Sequence, residues 1–214
     1  MKKGSILWLL GIVIFAAILI VPESRIVFTA LTTAHPYLMG FVKFGILATM
    51  GELLAIRITT GSWSIPKGIF PKAFVWGLIG ILITLIFQIF AGGVMAAMSN
   101  GYLPGGENKL VFAFLVATIM NLTFAPTFMA FHRCTDTYID LLNENTKNIK
   151  LLNITSRIDW NGFISFVVMK TIPFFWIPAH TLTFLLPPEY RVIMAAFLSI
   201  ALGVILSLAK KSKK

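Results

Sequence analysis

The sequence predicts an all-α membrane protein, a polytopic bundle of about six transmembrane helices with the fifth kinked or broken by proline. Three observations carry that prediction. Of the 214 residues 57% are hydrophobic and only 12% charged, with a mean hydropathy of +0.87. A water-soluble domain of this size cannot hide so much apolar surface. The apolar residues also fall in runs long enough to cross about 30 Å of hydrocarbon as helices, without the alternation that barrel strands require. Finally, the net charge of +10 sits mainly at the edges of those runs, where Lys and Arg set orientation and meet anionic lipid heads. That placement argues for the lipid bilayer as the partner and against nucleic acid.

Residues 1–34 read as an N-terminal signal-anchor helix and connector. Met1-Lys2-Lys3 precedes the apolar run Ser5–Val21. Bulky Leu19, Ile20 and Val21 stand where a cleavage site needs small residues, so the helix is expected to remain. Residues 22 to 36 read as a polar connector ending in His35-Pro36.

Residues 35–209 read as the polytopic domain. Its first span, Tyr37–Ile58, carries Lys43 and Glu52 at membrane depth, where ionisable groups face a bundle interior, a partner or water. Gly45, Ala48, Glu52, Ala55 and Thr59 share one stripe, and its small residues let a neighbouring backbone come close. Lys43 and Glu52 are nine positions apart, about 180° around the helix, so they cannot pair with each other. Lys170 is the expected partner of Glu52.

Thr59 to Lys72 is a turn-rich loop, and Ala73–Met98 the next span. The span from Lys109 to about Phe131 bears Thr118, Asn121, Ala125, Met129 and His132 on one face, and Pro126 should kink it and free a carbonyl near Leu122. The polar stretch His132–Trp160 reads as a surface helix and loop. Gly162–Leu186 places Lys170, Phe174, Ile177 and Thr181 on one face at helical spacing, while Pro173 and Pro178 make a straight helix untenable. Tyr190–Ala209 is the last span, and residues 210–214 form a basic cytoplasmic tail.

With both termini cytoplasmic, thirteen Lys and Arg residues lie inside and only Arg25, Lys109 and Arg191 outside, a strong positive-inside bias. The sequence has no phosphate loop, nucleophile elbow or paired histidines at metal spacing, which argues against an enzyme and for no metal or cofactor. Cys134 is the single cysteine.

The order His35-Pro36, Gly45, Met50-Gly51-Glu52, Gly77, Gly80, Phe124-Ala125-Pro126, Trp176, Pro178 and Pro187-x-x-x-Arg191 resembles the Mpv-seventeen family, which includes the twenty-two-kilodalton peroxisomal membrane protein. The likeness runs from about His35 to Leu208. Gly51-Glu52 matches the family's Gly-Asp pair, whereas Met120-Asn121, His180 and Thr183 depart from its pattern, as in a divergent member. The resemblance implies a multi-pass protein of an organellar membrane, with non-selective channel activity or a part in small-metabolite homeostasis, and no firm substrate. The Met-Lys-Lys start instead suits a plasma membrane, the inner membrane in a bacterium.

Two functions stay open. One is a small channel or passive transporter for ions or small metabolites, using Lys43, Glu52, Asn121, Lys170, His180 and Arg191 as pore lining or buried polar network. The other is a scaffold with a buried ion pair that fixes helix register and a basic tail that holds lipid. Arg191 and Arg57 are expected to snorkel to the interface. The small-residue faces allow a homo-oligomer and serve packing within the chain equally well.

Overall fold

A computed structural model describes residues 2–211; Lys213 and Lys214 of the expected basic tail lie outside the described residues. The chain is an all-α polytopic bundle. Among the described residues five helices are long and apolar enough to cross a membrane, or six if the bent pair of Lys109–Thr123 and Ala125–Asn143 is one span. Two compact units divide it, Met1–Thr84 with Val192–Lys214, and Leu85–Arg191.

The first unit begins with α1 (Lys2–Ile20), whose apolar window buries none of its residues. Such a helix is suited to lipid rather than to a protein core. The expected connector is instead a helix, α2 (Pro22–Ala34). Pro22 stands in its first turn, where a missing N–H costs nothing, and Glu23 complements the positive end of the helix. Phe28 and Thr32, four residues apart, form its buried face.

Helix α3 (Pro36–Thr60) ends at Gly61, which takes the left-handed conformation with φ 78°, the usual stop for a helix. Its glycines bring two neighbours to backbone contact. A Cβ on Gly40 would lie 2.6 Å from the Gly80 carbonyl oxygen, and one on Gly45 would lie 3.4 Å from the Ala73 carbonyl oxygen of α4 (Ile69–Ser99). On another side, a Cβ on Gly51 would lie 3.1 Å from Ile200 Cα in α9 (Pro188–Lys211). Gly45 of the small-residue stripe thus lies against α4, while Gly40 and Gly51, outside that stripe, bring α4 and α9 as close.

The second unit contains the bend expected at Pro126. Helices α5 (Lys109–Thr123) and α6 (Ala125–Asn143) meet at 49°. Asn108 caps α5, its side-chain oxygen accepting from Leu110 N at 3.0 Å and Val111 N at 3.1 Å. After the short α7 (Leu151–Thr155), Arg157 donates to both Glu144 oxygens at 2.6 Å. These hydrogen bonds hold the Glu144 carboxyl below its ordinary range.

The proline-bearing fifth span, α8 (Trp160–Leu185), departs from a regular helix by widening rather than by breaking. Phe163–Trp176 is π-helical, with Pro173 inside it, and Ile177 N reaches back five residues to Ile172 O. The wider turn accommodates a proline that has no N–H to offer. It also changes the face: Thr171 and Trp176, five apart, are buried, while Lys170 and Phe174 are exposed. Lys170 and Phe174 of the expected stripe thus stand on the exposed side, with Ile177 and Thr181 half-buried. Residues 177–185 of α8 pack against α5.

Candidate functional site

The ionisable residues predicted on α3 are both partnered within their own unit. Lys43 is 1% exposed; its Nζ donates to Thr32 Oγ1 at 2.9 Å and sits 4.5 Å from the centre of the Phe28 ring. A hydroxyl and an aromatic face thus share the cation. Glu52 points away from Lys43, as the 180° argument requires, and its Oε1 meets Lys72 Nζ at 3.3 Å. Lys72, not Lys170, is the cation the structure sets against Glu52.

That correction has a local cause. Gly68 and Pro71 suggest a loop through Lys72, yet proline is tolerated in the first turn of a helix. Helix α4 starts at Ile69 and carries Lys72 into the seam. Lys170 is exposed, and among the described residues it makes no hydrogen bond or ion pair.

In the second unit, Asn121 and His180 come together. Asn121 is 1% exposed; its Nδ2 donates to the Ala117 carbonyl at 2.7 Å and lies 2.9 Å from His180 Nδ1. The Ala117 contact fixes which end of the amide is nitrogen; Asn121 Oδ1 also lies 3.2 Å from His180 Nδ1, and the closer Nδ2 contact favours a histidine whose Nδ1 accepts. Its Nε2 then carries the proton. The imidazole stacks on Trp176 at 5.0 Å between centroids and meets the edge of Phe87 at 5.6 Å. Phe184 lies 4.9 Å from Phe87, and Arg191 Cζ sits 5.4 Å from the Phe184 ring. Arg191 Nε also donates to the Leu186 carbonyl at 3.0 Å, so it caps the end of α8 as well as covering an aromatic ring.

Two buried donors on the same helices lack a partner among the described residues: Trp176 Nε1 on α8 and Thr118 Oγ1 on α5, one turn before Asn121. A buried N–H or O–H without an acceptor costs about 1–3 kcal/mol, and such groups mark where water or a ligand binds. Pro126, five residues beyond Asn121, stands in the first turn of α6, while Pro178 and Pro187 bracket the α-helical end of α8. Together they position an uncharged Asn121–His180 pair against the Trp176 ring, with Thr118 one turn away on α5.

Sequence reasoning named Asn121 and His180 as site candidates, Trp176 only as a motif residue and Thr118 only as a face-mate of Asn121, and it gave no site role to Phe87, Phe184, Phe28, Thr32 or Lys72. The four-residue spacing of Phe28 and Thr32 was the available signal for a buried helix face. Among the described residues no group of three or more His, Cys, Asp or Glu is placed to hold a metal.

No family model, curated protein or solved structure matches the chain. The likeness to the Mpv-seventeen family therefore rests on the ordered residues alone.

Proposed function

We propose that this membrane protein is a non-enzymatic channel or passive transporter for a small solute, and that the solute meets it at Thr118, Asn121, Trp176 and His180. The observation that carries the reading is the buried Trp176 indole N–H without an acceptor, beside a hydrogen-bonded Asn121–His180 pair. Broken helices and π-helical stretches are where membrane proteins bind solutes and keep functional sites. This unit has a break at Phe124 and a π-helical stretch ending at Trp176. The cluster is neutral, which favours a small polar solute with acceptor oxygens over a bare cation.

Lys43 and Glu52 drop out of the solute path in this reading and act as register-fixing contacts. Their settled partners favour, as a second reading, a structural membrane protein. The charge bias assigns both ends to the cytoplasmic side, of an inner membrane in a bacterium or of an organelle otherwise. Kinship with the Mpv-seventeen family stands as a proposal of the same kind.

Solute flux from liposomes tests the reading. Asn121→Ala and His180→Ala should each slow release of small polar solutes about tenfold, the loss of about 1.4 kcal/mol of hydrogen bonding. Glu52→Gln should leave flux near wild type. Wild-type liposomes no leakier than protein-free ones would support the structural reading instead.

A further inference from the structure

In the unit formed by Met1–Thr84 and Val192–Lys214, a cavity of about 500 Å³ opens between the start of α1 and the end of α3, with Trp8, Leu9, Leu54, Arg57, Ile58 and Trp63 among its walls. Its aromatic walls are held in place. Trp8 Nε1 donates to the Met50 carbonyl at 2.9 Å, and Trp63 Nε1 donates to Ser5 Oγ at 2.9 Å. The two rings lie 6.4 Å apart. Trp63 also rests on the backbone at Gly4, where a Cβ would come within 2.7 Å of its Cγ. Both indole N–H groups are used, so the tryptophans offer the cavity apolar ring surface.

Among the described residues of the lining, Arg57 is the ionisable one and none is a carboxylate. One N–H of its guanidinium caps α3 by donating to the Gly61 carbonyl. An arginine has five N–H donors in a fork that matches phosphate, so capping uses a minority of them. The cavity lies where one apolar span begins, at Lys2 and Lys3, and another ends, at Arg57. Tryptophan and arginine together at the end of a span mark the membrane–water interface.

From this charge complementarity we propose that the cavity is a binding groove for an anionic phospholipid, its phosphate on Arg57 and its acyl chain along Leu9, Leu54 and Ile58. A free phosphate would satisfy Arg57 but leave the apolar walls unfilled. A zwitterionic lipid would fill the walls but bring a choline cation to a lining with no acid among its described residues. The groove is independent of the solute cluster around Asn121 and His180.

Brominated lipids quench tryptophan on contact, so the groove reports its own occupancy. The probe is the full chain with Trp76, Trp160 and Trp176 changed to Phe, reconstituted with brominated phosphatidylglycerol or brominated phosphatidylcholine. Trp8 and Trp63 should show about fivefold tighter association with phosphatidylglycerol, the effect of one basic residue near an anionic headgroup. Arg57→Gln should abolish that preference and Arg57→Lys should keep most of it, which separates charge from the capping role. Leu54→Phe, which narrows the groove without altering charge, should weaken quenching by both lipids. Equal quenching by both lipids in the parent, or an unchanged preference in Arg57→Gln, would overturn the proposal. Loss of the preference on adding inorganic phosphate would also overturn it and assign the site to the free anion.

Discussion

The two units treat membrane-depth polarity in opposite ways. In the first, the charged groups on α3 are answered: Lys43 by Thr32 and Phe28, Glu52 by Lys72. In the second, the buried cluster is neutral, and it leaves the Trp176 N–H and the Thr118 hydroxyl without partners among the described residues. Magnitudes explain the contrast. A charge with no partner at bilayer depth costs several kcal/mol or more, a large share of what an ordinary fold can carry. An unpaired neutral donor costs about 1–3 kcal/mol, a smaller share. On the proposed reading, the charges of this chain hold helices in register and its neutral donors are left to meet a solute.

The largest expected effect concerns the packing that holds those charges. Gly80→Val would drive a side chain into the Gly40 carbonyl and should cost more than about 3 kcal/mol, read as loss of folded protein in detergent. Next comes the acceptor for Lys43. Thr32→Val removes it while keeping the shape, and should cost about 1.5–3 kcal/mol by thermal denaturation, as for hydrogen bonds to charged groups. Lys43→Met, which removes the charge itself, should be neutral or stabilising, as replacing buried ions often is. If both variants lose stability equally, the cation is a favourable contact in its own right and the contrast between the units weakens.

A double-mutant cycle at Glu52 and Lys72 should give a smaller coupling, about 1 kcal/mol, because the Glu52 side chain keeps 22% of its surface exposed. The smallest effect is at the surface pair Glu144–Arg157. Arg157 lowers the Glu144 carboxyl in the folded state from its ordinary 4.5. Its contribution is therefore fully present above pH 4.5 and is lost as pH falls through the lower folded value. Thermal stability measured against pH should show a slightly shallower acid limb in Arg157→Gln, and added salt should erase the difference.

Sequence made the span count and the bend at Pro126 legible, because length, hydrophobicity and a missing backbone N–H are local properties. Helix α2 was misread for a local reason too: Pro22-Glu23-Ser24 ends one helix and equally well starts the next. The partner of Glu52 was out of reach, since choosing Lys72 over Lys170 depends on which helix the Gly45 seam faces. On α8 the missing signal was geometric. Spacing of 3.6 residues gives no hint that Thr171 and Trp176, five apart, are both buried in the π-helical stretch. For the site, the polar residue types were visible in sequence. Their union, Asn121 with His180 across 59 positions, is tertiary and was not.

Trp176→Phe tests the central claim most directly, because it deletes one N–H and keeps the ring that stacks on His180. Solute flux and thermal denaturation should be measured on the same reconstituted sample. If the indole N–H awaits a solute, flux should fall several-fold while stability holds or rises slightly, an unpaired buried donor having been removed. Unchanged flux together with a rise in stability would contradict the account and leave the cluster a packing feature.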